Sequence, residues 1–264
     1  MNEQQSLERI QALEAENQSL RDMMDRQKVA IRSILGSYLT DEVLEEILSN
    51  REKVTIGGER RVVTMLFSDL RGSTDLSERL SSVDFIRMLN HYLEEMIELI
   101  NAWQGNILEF VGDEIVVVFG APRENLTASR NAVACAVAMQ RRMDAINEWN
   151  RAQGYPDISH GIGIHTGEAI LGTIGSSTRA KYDMIGRNVN LAARIQTFTT
   201  GGQILISTET LETAGDSVYL NPEGEKWITP KGIRGDVLVH DVVGFGSRFL
   251  KGWDSSRARE FAQK

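Results

Sequence analysis

Residues 62–74 read VVTMLFSDLRGST, and this stretch decides the fold class and points to the chemistry. A run of strand-forming residues ends at Asp69, and a loop containing Gly72, Ser73 and Thr74 follows. A carboxylate at a strand end suits a hard cation such as Mg²⁺, and the backbone N–H groups of such a loop can face phosphate oxygens. The stretch therefore predicts a strand that delivers a metal ligand to a phosphate site.

A second aspartate has a similar setting. Asp113 follows Gly112 between the apolar segments 107–111 and 115–119, which predict a β-hairpin. Either aspartate alone is more typical of a turn than of a catalytic site. Two carboxylates at the ends of strands, taken together, predict a two-metal site for displacement at phosphorus.

The composition is typical of a globular chain in a reducing compartment. The 264 residues are 41% hydrophobic and carry a net charge of −8 without a basic block, which argues against nucleic acid as a partner. The single cysteine, Cys135, excludes an intrachain disulfide and lies in an apolar helical pattern, where we expect it to pack in the core. Since no apolar run approaches the ~20 residues of a membrane span and no signal-peptide pattern is present, we predict a cytoplasmic protein.

Residues 1–35 carry apolar residues at alternating steps of three and four. This spacing predicts a coiled-coil helix that forms a parallel dimer, with a single amphipathic helix as the alternative. The predicted seam consists of Ile10, Leu13, Asn17, Leu20, Met24, Gln27, Ile31 and Ile34. Residues 36–57 predict a helical connector, which either transmits a movement or serves as a passive tether. Because the repeat starts almost at Met1, an upstream sensor domain is a further expected partner.

Residues 58–245 predict the main domain, and residues 246–264 a polar C-terminal tail. The spacing of apolar residues in this domain predicts strands and helices in the order β-α-β-β-α-β with additions. It predicts strands at 61–68, 107–119 (a hairpin), 158–165, 169–174, 203–207 and 237–243, and helices at 82–103, 126–151 and 188–198. This order predicts an α+β fold with a ferredoxin-like core, in which an antiparallel-rich sheet carries helices on one face.

Four separated segments of the domain resemble the class III nucleotide cyclases in their bacterial homodimeric form. The matching segments are residues 67–74, 112–113, 186–194 and 231–232, and the resemblance covers about residues 58–245. It implies that Asp69, Asp113 and the Leu70 carbonyl bind two Mg²⁺ ions per site, with Mn²⁺ as the alternative. This pattern would serve attack of a ribose 3′-oxygen on the α-phosphorus of a nucleoside triphosphate.

The same resemblance assigns the remaining site residues and the assembly. Asn190 would hold the ribose, Arg194 would neutralise charge on the α-phosphate, and Lys231 would bind the β- and γ-phosphates. The loop at residues 72–74 would add backbone donors. In this family the two aspartates come from one subunit and the other three residues from its partner, so the resemblance implies a homodimer with shared sites.

Two positions contact the base in this family, and here their residues favour different purines. Glu109 resembles guanylate-type members, whose carboxylate accepts from guanine N1–H and the 2-amino group. Asp183 resembles adenylate-type members, whose aspartate accepts from the adenine 6-amino group. A buried mismatch of this kind costs about 1–3 kcal/mol, so neither purine is excluded. Because bacterial members mostly make cyclic AMP, we expect ATP as the substrate and GTP as the alternative.

Two other classes compete with an active cyclase. A catalytically silent cyclase-like domain would bind nucleotide, or only dimerise, for signalling, but such a domain would be expected to have lost one of the site residues. A polymerase also uses two carboxylates on a β-α-β-β-α-β core, but the acidic chain has no basic groove for a template.

Overall fold

The computed structural model describes residues 3–35, 56–176 and 178–261, and the chain divides into two units, Met1–Lys53 and Val54–Lys264. In the first unit the described residues form one helix, α1 (Glu3–Leu35), which agrees with the predicted helix. Its seam residues Leu13, Leu20 and Met24 are exposed, and their pairing in a coiled coil stays a prediction. The predicted helix of the connector lies outside the described residues. None of the described helices is long and apolar enough to cross a membrane.

The second unit is an α+β domain built around one sheet. Its strands are β1 (Gly57–Leu70), β2 (Asn106–Val111), β3 (Glu114–Phe119), β4 (His160–Ser176), β5 (Arg179–Ile185), β6 (Ile204–Ser207), β7 (Val218–Leu220), β8 (Lys226–Ile228), β9 (Val237–Phe245), β10 (Arg248–Phe249) and β11 (Arg259–Glu260). Its helices are α2 (Ser73–Arg79), α3 (Ser82–Ala102), α4 (Ala128–Ala152), α5 (Arg187–Thr197) and α6 (Thr208–Ala214).

The strands lie in the order β11-β7-β9-β6-β4-β1-β3-β2, while β5 pairs with β4, and β8 and β10 pair with β9. The pairing of β4 with β6 is parallel and the other described pairings are antiparallel, which confirms the predicted antiparallel-rich α+β fold. β1 and β4 form the centre of the sheet, with register from Gly57 opposite Thr173 to Leu70 opposite His160.

Apolar residues alternate between the two faces of β1. Leu66 and Leu70 pack with the buried residues of α3 and α4 on one face of the sheet. The prediction that the helices lie on one face is wrong for α5, which packs on the other. Val63, Met65 and Phe67 point to the opposite face, where they form a second cluster with Ala192 of α5. Both faces of the strand are therefore covered over residues 63–67, which explains why this segment is almost continuously apolar.

The long helices contribute buried residues to the core, among them Cys135, as predicted. Met88, Tyr92, Met96 and Ile100 form the fully buried stripe of α3, and the Ser81 hydroxyl caps that helix by accepting from the Asp84 N–H. Cys135 is buried in the core on α4, and its burial raises the pKa of its thiol. A buried thiol with a raised pKa is a packing residue rather than a nucleophile.

The structure corrects three further parts of the predicted layout. Residues 158–165 and 169–174 are not separate strands, because β4 runs without a break past Gly167. The segment 179–185, which carries Asp183, forms the strand β5 that the apolar pattern did not reveal. The described part of the predicted tail, residues 246–261, is part of the domain: β11 pairs with β7, and Leu250 and Phe261 pack against the main core.

Gly167 does not break β4 because its missing side chain makes room for α5. A Cβ at Gly167 would lie 2.6 Å from Asn188 Nδ2, and one at Gly163 would overlap the backbone of Gln196. Gly161 faces Thr199 in the same way. These glycines lie at every second or fourth position, on one face of the strand. They let α5, the helix that carries Asn190 and Arg194, lie directly on the sheet.

We expect Gly163→Ala to lower the free energy of unfolding by about 1–3 kcal/mol, because the new methyl group has to displace helix backbone rather than a flexible side chain. Urea unfolding followed by circular dichroism measures this change. Leu126→Ala is the control, since the Leu126 side chain is 95% exposed and its truncation should cost less than about 0.5 kcal/mol. Equal stability of the two variants would contradict the close contact between α5 and β4.

Candidate active site

The two predicted metal ligands lie at the same end of the sheet. Asp69 is the penultimate residue of β1, and Asp113 lies in the two-residue turn between β2 and β3. β1 and β3 pair with Ser68 opposite Ile115, so this turn lies beside the end of β1. The Leu70 N–H donates to Asp113 Oδ2 at 3.1 Å, which holds the second carboxylate next to the first.

Negative charge is concentrated at this strand end. Burial, and then the Asp113 carboxylate, raises the pKa of Asp69, while Arg71 and Gln196 act in the opposite direction. Burial followed by the carboxylates of Asp69 and Asp113 also raises the pKa of Glu114, the first residue of β3. Repulsion between partly buried carboxylates is the electrostatic setting that a divalent cation relieves.

The donor set fits Mg²⁺ or Mn²⁺. Asp69 and Asp113 offer carboxylate oxygens, and Leu70 offers its backbone carbonyl. Over residues 3–35, 56–176 and 178–261, no group of three or more His, Cys, Asp or Glu side chains is arranged to hold a metal. Mg²⁺ keeps several waters and takes substrate phosphates as ligands, so two carboxylates are enough for an ion that binds together with a nucleotide.

The segment that follows Asp69 is the start of a helix rather than the predicted loop. Gly72 has a φ of 72°, in the left-handed region, and α2 begins at Ser73. Ser73 and Thr74 lie in the first helical turn, where backbone N–H groups have no acceptor within the helix. Backbone donors are thus available at the predicted position, but a helical turn presents them.

The second set of predicted residues lies on α5 and a loop. Asn190 and Arg194 are one turn apart on α5 and both are exposed, and Lys231 is exposed between β8 and β9. In the described part of the domain, no hydrogen bond or ion pair joins these three residues to Asp69 or Asp113. Within one chain, the predicted metal ligands and the predicted substrate-binding residues are therefore not in direct polar contact.

His165 positions the first turn of α5. Its Nδ1 lies 2.8 Å from Ser207 Oγ and its Nε2 lies 3.2 Å from Asn188 Oδ1. Asn188 Nδ2 in turn donates to the Glu168 carbonyl at 2.9 Å. Burial lowers the pKa of His165, which favours the neutral ring that can both donate and accept here. The histidine therefore has a structural role in orienting α5.

The two positions predicted to contact the base are joined by a residue that the sequence analysis did not identify. Lys181 Nζ donates to Glu109 Oε2 at 2.5 Å and to Asp183 Oδ2 at 3.1 Å. Asp183 is held further by the Met184 N–H, which donates to its Oδ1 at 2.9 Å. The signal for Lys181 was its position two residues before Asp183, which places both on one face of a strand. It was missed because β5 itself was not predicted.

Comparisons with known proteins agree with this arrangement. The adenylate and guanylate cyclase catalytic domain matches residues 58–241. Adenylate cyclase 1 of Rhizobium meliloti (strain 1021) is 29% identical over 232 residues, which cover 87% of this chain and 34% of that protein. The chain thus spans about a third of the length of the curated relatives it matches.

Two crystal structures of cyclases resemble the chain in both sequence and fold. The guanylyl cyclase Cya2 is 43% identical with a TM-score of 0.71, and the match covers 74% of this chain and 100% of that one. The adenylyl cyclase CyaB from P. aeruginosa is 35% identical with a TM-score of 0.65, over 71% of this chain and 96% of that one. Since the family match also covers most of the sequence, the chain belongs to the class III adenylate and guanylate cyclase catalytic domain family.

Proposed function

We propose that this domain converts ATP to 3′,5′-cyclic AMP and pyrophosphate. The observation that supports this best is the carboxylate pair Asp69 and Asp113, held together beside the start of α2. The ribose 3′-oxygen forms a bond to the α-phosphorus, the bond from that phosphorus to the pyrophosphate oxygen breaks, and the hydroxyl proton passes to Asp69 or to a substrate phosphate oxygen. Two Mg²⁺ or Mn²⁺ ions, when bound by the two aspartates and the Leu70 carbonyl, activate the hydroxyl and stabilise the leaving group.

Three further side chains bind the substrate around the reacting phosphorus. Arg194 neutralises charge that develops on the α-phosphate, which is a large electrostatic contribution to phosphoryl transfer. Asn190, one turn earlier on the same face of α5, holds the ribose. Lys231 binds the β- and γ-phosphates as a point charge. All three are exposed, as a ligand-binding role requires.

The complete site forms between two subunits of a homodimer. In each chain Asp69 and Asp113 lie on β1 and the β2–β3 turn, whereas Asn190, Arg194 and Lys231 lie on α5 and the β8–β9 loop. No described hydrogen bond or ion pair joins the two sets. This separation supports sites in which one subunit provides the metal ligands and its partner provides the other three residues. A lone chain would lack a complete site.

Lys181 supplies a physical basis for the use of ATP. Its ammonium group lies beside Glu109 and provides the donor that adenine N1 needs, where the glutamate alone offers only acceptors. Asp183 then accepts from the adenine 6-amino group. GTP is the second candidate, because Glu109 can accept from guanine N1–H while Lys181 donates to O6.

The N-terminal residues regulate the domain. Residues 1–35 form a parallel coiled coil, which raises the effective concentration of the two catalytic domains for each other. Residues 36–57 connect this coil to the catalytic domain, residues 58–245, and pass on a signal from a sensor domain. The relative from Rhizobium meliloti is long enough to hold further domains, since the match covers only 34% of it.

Product formation from ATP and from GTP, each with Mg²⁺ and then with Mn²⁺, tests the proposal. We expect cyclic AMP to dominate when products are separated by chromatography, and Asp113→Ala prepared in parallel controls for contaminating cyclases. Dominant cyclic GMP would mean that Glu109 determines the base and that the ATP assignment is wrong. No cyclic product under any of these conditions would contradict the cyclase proposal and favour a silent signalling domain.

A further inference from the structure

Arg71 connects the metal-binding end of β1 to the C-terminal end of α5. Its Nη1 lies 3.5 Å from Asp69 Oδ2. On its other side, Nη2 donates to the Gln196 carbonyl at 3.1 Å and to Thr199 Oγ1 at 2.7 Å. One guanidinium group therefore contacts a predicted metal ligand and the end of the helix that carries Asn190 and Arg194.

The surrounding chain is shaped for this guanidinium group. Gly161 on β4 leaves the space that it occupies, because a Cβ there would overlap both Thr199 Oγ1 and the Arg71 guanidinium. The Arg71 N–H donates to the Ser159 carbonyl at 2.8 Å, which anchors the backbone where the side chain departs. The Arg71 side chain is only 27% exposed. The Arg71 side chain thus contacts Asp69, Thr199 and the Gln196 backbone carbonyl in a space that Gly161 leaves open. This arginine is a built feature of the domain.

The positive charge of Arg71 also complements the partial negative charge at the C-terminal end of α5. The Gln196 carbonyl belongs to the last turn of α5, where carbonyl oxygens accept no hydrogen bond from a later helical residue and carry partial negative charge. Thr199 Oγ1 donates to the same carbonyl at 2.7 Å. The cation and the hydroxyl together fix the end of α5, and hence the direction of the helix that carries Arg194.

We propose that Arg71 is a positioning residue that couples the two active sites of the dimer. The inference rests on the proposed shared sites. In that arrangement the Asp69 that Arg71 contacts serves one site, whereas the α5 of the same chain serves the other. A displacement of the Asp69 carboxylate shifts the guanidinium group that touches it, and through the Gln196 carbonyl and Thr199 this shifts the end of α5. Arg71 thus acts on one site through Asp69 and on the other through α5.

A mixed dimer allows the effect of Arg71 on α5 to be measured apart from its effect on Asp69. One chain carries Arg194→Ala and supplies the metal ligands to the single live site; its partner carries Asp69→Ala and supplies α5 to that site. Arg71→Ala is then added to the Asp69→Ala chain only, where the carboxylate partner of Arg71 is already gone. We expect kcat of the live site to fall about tenfold, since the helix that bears Arg194 is released, and Arg71→Lys to recover part of the loss.

Arg142→Ala in the same chain is the matched control. The Arg142 side chain is 30% exposed and pairs with Glu95 and Glu98, so its loss also removes a half-buried ion pair, but it lies on α4. We expect this variant to leave kcat within about twofold of the reference mixed dimer. An Arg71→Ala variant that behaves like Arg142→Ala in this position would overturn the coupling, because Arg71 would then serve only its own Asp69.

Hydrogen exchange of the full-length chain provides a readout that does not depend on activity. We expect Arg71→Ala to speed amide exchange within residues 187–200 by about tenfold, and Arg142→Ala to leave that segment unchanged. Unchanged exchange in Arg71→Ala would mean that the arginine does not hold α5. If the reference mixed dimer forms but is inactive, the shared-site proposal fails and the coupling fails with it, while the exchange result still decides whether Arg71 positions the helix.

Discussion

Asp69→Ala is expected to abolish cyclic nucleotide formation, with kcat reduced by roughly three orders of magnitude or more. Asp69 supplies a carboxylate oxygen to the proposed metal site and lies against Asp113, so its removal takes away half of the charged ligand set. Loss of several kcal/mol of transition-state charge stabilisation corresponds to a factor of about a thousand. Initial rates with saturating Mg²⁺ and Mn²⁺ measure the effect.

The same variant should fold normally. Burial and repulsion from Asp113 raise the pKa of Asp69, which means that the ionised carboxylate disfavours the folded state at neutral pH. We therefore expect the melting temperature of Asp69→Ala to equal or exceed that of the natural sequence. Asp144→Ala, which removes an exposed carboxylate of α4, should keep both activity and stability. Substantial Mg²⁺-dependent activity in Asp69→Ala would overturn the metal assignment.

Mixing inactive Asp69→Ala chains with inactive Arg194→Ala chains is expected to restore activity, with about a quarter of the natural level as the upper limit. Random pairing makes half of the dimers mixed, and each mixed dimer has one intact site of two. The intact site combines Asp69 from one chain with Arg194 from the other. The recovered rate should follow the fraction of mixed dimers, which differently tagged chains allow to be measured directly.

Mixing Asp69→Ala with Asp113→Ala chains is the matched control. Both substitutions affect the metal ligands, so every site in a mixed dimer contains one damaged metal pair and no activity should return. If the Asp69→Ala and Arg194→Ala chains form mixed dimers without any recovery, the site lies within one chain. The exposed position of Arg194 on α5 would then need another explanation.

Strands and helices were predicted correctly where neighbouring residues alone contain the pattern that specifies them. The strand that ends at Asp69 and the hairpin around Asp113 were predictable because alternating burial and turn residues are adjacent in sequence. The long helices α3 and α4 were predictable for the same reason, since their buried residues recur at helical spacing. The confirmed α+β class follows from the order of these elements.

Features that depend on distant contacts were missed or misassigned. The predicted strands 158–165 and 169–174 are one strand, because Gly167 between them makes room for Asn188, which is 21 residues further along the chain. The two short strands beyond residue 245 have weak local signals and form by pairing with β9 and β7. No short window contains the partner that stabilises them.

The sequence by itself determined the α+β class, the family and the identity of the candidate site residues, because strand ends, turns and helical repeats are encoded by neighbouring residues. Only the tertiary structure decided how these residues are connected. It joined Glu109 to Asp183 through Lys181, and it joined Asp69 to the end of α5 through Arg71. Ion pairs and close helix–strand packing are made between segments far apart in the chain, so they exist only after the sheet has formed.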